Sequence, residues 1–204
     1  MKVLHIDSGL FDQSVSRQLS TAIVDQLRTS HPRLEVVYRD LAANPPAHLS
    51  AAALAAGSVP AEQRSAEQHA ETELTDTLLQ EFLEAEVLVI GAPMYNFGIP
   101  SQLKAWFDRV LKAVVTFRYT EQGPVGLAGD KQVIIASARG GLYGDDAPAD
   151  FQESYLRTLL GFTGITDVSV VRAEGVNLGD APRQQALAQA QAAIAGIGAL
   201  AGAA

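Results

Sequence analysis

Two four-residue runs, Val87-Leu88-Val89-Ile90 and Val133-Ile134-Ile135-Ala136, are apolar at every position. The first stops at Gly91-Ala92-Pro93 and the second leads into Ser137-Ala138-Arg139-Gly140-Gly141. A strand with one wet face alternates apolar and polar residues, whereas an unbroken run is covered on both faces. Such strands belong to parallel sheets, whose neighbouring strands are joined by helical crossovers. Val3 to Ile6 is a third run of this kind, and Leu34 to Tyr38 and Asp167 to Arg172 read as extended. Helical spacing fills the intervals: Leu19, Ile23 and Leu27 within Ser16 to Leu27; then Leu74, Leu78 and Phe82; then the stripe Leu103, Trp106, Phe107, Val110 and Leu111. Phe151 to Leu160 and an Ala-rich stretch from Pro182 to about Leu200 complete the pattern. Strand and helix alternate from end to end. This predicts an α/β domain over residues 1–204, with a five-stranded parallel sheet in the doubly wound order 2-1-3-4-5 and helices on both faces.

Two regions interrupt the rhythm. Residues 42–70 are rich in Ala, Pro, Ser and Gln and exceed an ordinary connection, so they form either a functional flap or partner surface, or a helical insertion without chemical role. Residues 115–130 hold Phe117-Arg118-Tyr119 and a Gly/Pro turn, which suits a small hairpin excursion.

Composition narrows the chemistry. The net charge of −8 argues against a nucleic-acid partner, which requires a basic face. No cysteine is present, so disulfides, thiolate nucleophiles and iron–sulfur clusters are excluded. His5, His31, His48 and His69 lack metal-ligand spacing, and His5 lies in the first strand, where a buried structural role is expected. Trp106 is expected on a core-facing helix stripe or at a subunit surface. The apolar stretch within Met1 to Asp7 is too short for a signal segment, and no run suits a membrane span, so a cytoplasmic location is expected.

In a doubly wound sheet, ligands bind beyond the carboxyl ends of the strands. Three loops there carry unusual chemistry. Asp7-Ser8-Gly9-Leu10-Phe11-Asp12-Gln13-Ser14-Val15-Ser16 offers hydroxyls and N–H groups at a helix start, which suits an anion, although Ser14 or Ser16 alone reads equally as a helix cap. It lacks a P-loop lysine and the G-x-G-x-x-G spacing, which favours a monophosphate. Met94-Tyr95-Asn96-Phe97 supplies aromatic surface and an amide, as a flat heterocycle needs, or a packed turn. Ala138-Arg139-Gly140-Gly141 combines close backbone approach with a positive charge for electron-rich edge atoms, or is a simple turn.

Taken in order, these residues resemble the FMN-dependent NADH-azoreductase family, also described as NADH:quinone oxidoreductases, of flavodoxin-like fold. Ser14-Val15-Ser16-Arg17-Gln18-Leu19, Arg39-Asp40-Leu41-Ala42, Ala92-Pro93-Met94-Tyr95-Asn96-Phe97, Thr116-Phe117-Arg118-Tyr119-Thr120, Arg139-Gly140-Gly141 and Leu160-Gly161-Phe162-Thr163-Gly164-Ile165 carry the likeness. The resemblance implies that Ser8 and Ser14, Val15 and Ser16 hold the FMN phosphate. Met94, Tyr95, Asn96 and Phe97 would line the isoalloxazine, and Ala138, Arg139, Gly140 and Gly141 would meet its polar edge. It implies a homodimer with each flavin near the subunit boundary, where Tyr119 and Phe162 would border the substrate. Two departures stand out: Asp7 and Ser8 occupy the place of a usual serine pair, and Ala138 replaces a common Ser or Thr.

The mechanism implied is a ping-pong one. NADH or NADPH gives hydride to flavin N5, and a quinone or aromatic azo compound then takes two electrons from the same face. No catalytic side chain is needed, because the flavin carries the chemistry. The rivals are a flavodoxin-type electron carrier and a non-catalytic flavin-binding regulatory module.

Overall fold

The computed structural model describes residues 1–145 and 147–200, with side chains described as far as residue 197. Asp146 and residues 201–204, which the expected domain 1–204 includes, lie outside the described residues. In chain order the elements are β1 (Lys2–Asp7), α1 (Val15–Ser30), β2 (Glu35–Asp40), α2 (Ala51–Ala56), a 3-10 turn (Ala61–Gln63), α3 (Ala66–Glu84), β3 (Val87–Pro93), α4 (Ser101–Val110), β4 (Phe117–Thr120), β5 (Gly123–Gly126), β6 (Gln132–Ala138), α5 (Glu153–Phe162), β7 (Asp167–Ala173) and α6 (Asp180–Leu200).

The main sheet has five parallel strands in the order β2-β1-β3-β6-β7. The sequence-based order 2-1-3-4-5 needs renumbering here. The antiparallel hairpin β4–β5 stands apart from the main sheet and takes two places in the count, so the last two sheet strands are β6 and β7.

The unbroken apolar runs divide by parity, as a pleated strand requires. Val87 and Val89 of β3 and Ile134 and Ala136 of β6 face one side, where Leu19, Ile23 and Leu27 of α1 and Ala190 and Ile194 of α6 cover them. Leu88, Ile90, Val133 and Ile135 face the other side, under Leu78 and Phe82 of α3, Leu103, Trp106 and Phe107 of α4, and Leu156 and Leu160 of α5. Trp106 is wholly buried on this side, with Phe82 and Phe107 edge-on to it at centroid distances of 5.9 and 5.0 Å. It is therefore a core residue of this chain.

Residues 42–70 contain α2, the 3-10 turn and the first turn of α3, which begins at a Ser65–Gln68 capping box. The buried Arg109 anchors this segment: its guanidinium donates to the Ala47 carbonyl at 2.9 Å and meets Glu71 at 2.5 Å.

Each crossover helix returns the chain from the carboxyl end of the sheet to its amino end. Phe162, the last residue of α5, lies five positions before β7 begins, at the amino end. With 10 residues, α5 carries the chain about 15 Å away from Gln152. The β4–β5 hairpin packs there too, with Ala128 N–H donating to the Thr163 carbonyl and Phe117 packed 4.5 Å from Phe162.

Candidate functional site

The register brings the ends of three strands level. Asp7 pairs with Gly91, Gly91 with Ala136, and Pro93 with Ala138. The loops beginning at Ser8, Met94 and Arg139 therefore leave one edge side by side, as the sequence reading required.

In the first loop, Ser14 takes the cap position of α1, but its side chain makes no capping hydrogen bond. Its Oγ accepts from Phe11 N–H instead, at 3.3 Å. Among the described residues, the N–H groups of Val15, Ser16 and Arg17 have no acceptor outside the helix they open. Ser16 Oγ is buried and has no partner either. A buried hydroxyl without a partner is costly, and here it lies beside open helix N–H groups. A Cβ on Gly9 would stand 2.6 Å from Ser14 Oγ and 3.2 Å from Ser16 Oγ, so only glycine leaves this concavity open. Ser8 differs from its neighbours. Both its N–H and its Oγ donate to the Gly91 carbonyl, at 3.1 and 2.7 Å, so its hydroxyl proton ties β1 to β3.

A polar network supports the loop from below. Arg17 donates to Asp40 through both terminal nitrogens, at 2.8 and 3.1 Å, and to Tyr38 Oη at 2.5 Å. The hydrogen bond from Arg17 holds the Asp40 carboxyl below its ordinary value, and the same bond raises Arg17. Asp7 accepts from Ser20 Oγ at 2.6 Å and from Tyr38 Oη at 3.0 Å. Burial and the Asp7 charge push the Tyr38 phenol well upward. His5 is buried against Tyr38, with Nε2 3.6 Å from Asp7.

The second loop is a two-residue turn. Tyr95 and Gly98 exchange hydrogen bonds of 2.9 and 3.1 Å, with Asn96 and Phe97 between them at φ 49° and 70°. Positive φ at both central positions is the type I′ signature, suited to Asn but strained for Phe. The Phe97 ring lies out of the core, 53% exposed. Tyr95 Oη accepts from Leu10 N–H at 3.1 Å and joins this turn to the first loop. Beside the turn, an open groove of about 690 Å³ runs between α4 and α5, past Ile99, Lys104, Phe151 and Tyr155.

The third loop departs from expectation. The Arg139 guanidinium is buried and turned inward, onto Asp150 at 2.5 Å, Glu153 at 2.7 Å, Glu174 at 3.0 Å and Gln152 Oε1 at 3.0 Å. Three carboxylates consume its charge, so the expected positive charge at a ligand's edge is not supplied by this side chain. The backbone remains. The Gly140 and Gly141 carbonyls accept from Asn177 and Gly175, while their N–H groups have no acceptor among the described residues. A Cβ on Gly140 would stand 2.6 Å from Asn177 Nδ2. Ala138 is buried and has no polar side-chain atom, and its carbonyl already accepts from Met94 N–H at 2.8 Å.

A family model described as a flavodoxin-like fold matches residues 1–197. An FMN-dependent NADH:quinone oxidoreductase 2 of Pseudomonas aeruginosa is 56% identical over 197 residues, covering 96% of this chain and 98% of that protein. The chain belongs to this family. An FMN-dependent NADH:quinone oxidoreductase of Laribacter hongkongensis is 58% identical over 199 residues, with 96% and 98% covered. Among solved structures, an FMN-dependent NADH-azoreductase of Bacillus anthracis in complex with FMN superposes with a TM-score of 0.88 at 26% identity, covering 97% of each chain. The azoreductase AzrA superposes with the same TM-score at 29% identity, covering 97% of this chain and 99% of its own.

The residues present fit FMN. The orphaned Ser16 hydroxyl and the three open N–H groups match a phosphate, and the Gly9 concavity leaves room for one. The Met94–Phe97 turn offers a ring face, and the Gly140 and Gly141 N–H groups suit acceptor atoms at a ring edge. Tyr119, 74% exposed, and Phe162 stand with the hairpin at the amino end of the sheet, away from all three loops. The single chain does not bring them to the others. Among the described residues no group of His, Cys, Asp and Glu is placed to hold a metal, and no described helix is long and apolar enough to cross a membrane.

Sequence reasoning missed Arg17, Asp40 and Gln152 as parts of this site. Arg17 and Asp40 stood inside the resembling segments without an assigned role. Gln152 had no signal at all, since a polar residue at a helix entry reads as exposed.

Proposed function

We propose that this chain is an FMN-dependent oxidoreductase that takes electrons from NADH or NADPH and passes them in pairs to quinones and aromatic azo compounds. The observation that carries the reading is the buried, unpartnered Ser16 hydroxyl beside open helix N–H groups, at the edge where the aromatic turn and the glycine loop also end. The names of the two bacterial quinone oxidoreductases support NADH and quinone as substrates, and the azoreductase structures support azo compounds.

FMN supplies hydride acceptance and two-electron donation when bound, and the protein's part is binding and orientation. Ser14, Ser16 and the N–H groups of Val15 to Arg17 hold the phosphate, with the positive end of the α1 dipole behind them. Ser8 supports this loop through Gly91. The Tyr95–Gly98 turn would present Asn96 and Phe97 to the flavin ring. The Gly140 and Gly141 N–H groups favour negative charge at its polar edge.

The whole chain acts as one flavin-binding domain in a cytoplasmic homodimer. Topology supports the dimer. Tyr119 and Phe162, which the resemblance places beside the substrate, sit at the opposite end of the sheet from the loops of their own chain, an arrangement that would need a second chain across a two-fold axis. An electron carrier would not oxidise NADH directly.

The test is a visible spectrum of the purified protein, followed by anaerobic NADH and then benzoquinone. Bleaching by NADH and recovery with quinone are expected. Protein that stays colourless and inert after FMN is supplied would sink the reading.

A further inference from the structure

We propose that Gln152 is a positioning residue that fixes the spacing between the Met94–Phe97 turn and the Ala138–Gly141 loop, and thereby the width of the slot for a flat ring. This rests on the flavin reading above. Gln152 is fully buried at the entry to α5. Its Nε2 donates to the Ala92 carbonyl at 2.6 Å, two residues before Met94. Its Oε1 accepts from Arg139 Nε at 3.0 Å and from Ser137 Oγ at 3.3 Å, on either side of Ala138. One residue earlier, Phe151 N–H donates to the Phe97 carbonyl at 3.1 Å, at the far end of the turn. Two successive residues thus grip both loops.

A primary amide suits this place. One end must donate to a carbonyl and the other must accept from a guanidinium. A carboxylate keeps the second contact and sets like lone pairs against Ala92. A methionine fills the volume and makes neither contact. The backbone of Asp150 to Glu153 is held separately, because Asp150 Oδ1 accepts from the N–H groups of Gln152 and Glu153, both at 3.0 Å. The helix start therefore does not depend on the amide, whereas the loop spacing does.

The test uses Gln152→Met and Gln152→Glu, with apoprotein titrated by FMN and by riboflavin, which lacks the phosphate. Flavin fluorescence and the visible spectrum of the bound flavin are the readouts. In Gln152→Met the loss of three buried hydrogen bonds predicts about tenfold weaker binding for both ligands, with the FMN-to-riboflavin ratio kept and the bound spectrum altered. Gln152→Glu is expected to weaken binding as well, since its acid faces the Ala92 carbonyl and joins the three carboxylates already on Arg139. Wild-type affinities and spectrum in either folded variant would overturn the proposal, even with a lowered Tm, and so would a loss confined to FMN. Failure of the wild-type protein to bind either flavin would instead overturn the flavin reading.

Discussion

Arg17 Nη2 donates to the Gly9 carbonyl at 3.1 Å, which ties the loop before α1 to the first turn of that helix. The same guanidinium is gripped on its other side by Asp40, at the end of β2. The shape of the proposed phosphate loop thus depends on an edge strand. Asp40→Asn removes the charge while keeping the size, and Arg17 then holds Gly9 less firmly. FMN affinity is expected to fall about three- to tenfold, the loss of one charge-assisted hydrogen bond in part. Riboflavin affinity stays near wild type, since the ring slot is elsewhere. Equal loss for both ligands would remove the phosphate-loop assignment of this pair.

Ser16→Ala separates binding from folding. Its hydroxyl is buried without a partner, so its removal leaves the apoprotein at least as stable. The same hydroxyl donating to a phosphate dianion is worth roughly 1.5–3 kcal/mol, so FMN affinity is expected to drop about 10- to 100-fold. Calorimetric titration with FMN and riboflavin, beside an apoprotein melt, reads both effects. FMN affinity that survives Ser16→Ala, and also Ser14→Ala added to it, contradicts the assigned contact.

The sheet was legible because burial on both faces leaves its mark residue by residue: Val87 to Ile90 and Val133 to Ala136 have no polar position to spare. The three loops were legible by place, since the ends of such strands are where ligands sit. What Arg139 does there was not. A guanidinium beside two glycines reads as a free charge, and its three carboxylate partners come from residues 150, 153 and 174, which only the fold assembles. Ser8 illustrates the same limit. Its hydroxyl is spent on Gly91, 83 residues away. The left-handed pair Asn96-Phe97 was half visible, because Asn tolerates that conformation and Phe does not.

Arg139→Met tests the inward reading of that side chain. It leaves Asp150, Glu153 and Glu174 close together without their shared cation, at a cost of about 3–5 kcal/mol, or roughly 10 °C in Tm for a domain of this size. In the wild type, burial pushes Asp150 and Glu153 upward. Both nonetheless lie below their ordinary values of 3.8 and 4.5: Asp150 through backbone N–H groups and Arg139, Glu153 through a hydrogen bond from Arg172 and the charge of Arg139. A depressed folded value stabilises the fold above the unfolded value and loses that contribution as pH falls through the folded one. Wild-type stability from this cluster is therefore flat above about pH 5 and declines below about pH 4. In Arg139→Met, Glu153 keeps Arg172 while Asp150 and Glu174 lose their shared cation, so the loss of stability between about pH 5 and pH 3 is smaller than in the wild type. Melts across that range decide the matter. A variant with wild-type stability and slope would place the Arg139 charge elsewhere.

The separation of Tyr119 from the loops of its own chain makes the proposed dimer testable without seeing it. Tyr119 is 74% exposed on β4, with its ring edge-on to Phe117, so Tyr119→Ala is expected to leave the fold intact and to remove a wall of the proposed acceptor space. Ser14→Ala with Ser16→Ala leaves that wall intact and empties the flavin site of its own chain. Each homodimer is expected to reduce quinone poorly. In a mixed dimer, the chain with intact serines binds flavin and receives an intact Tyr119 from the other. Random exchange at equal concentrations puts half the molecules in mixed dimers with one complete site in two, so about a quarter of wild-type activity returns. If Tyr119 served its own chain, no mixed dimer would hold a complete site, and activity would stay at the average of the two parents. Unfolding and refolding the variants together, with separately refolded samples mixed afterwards as the control, distinguishes the two arrangements.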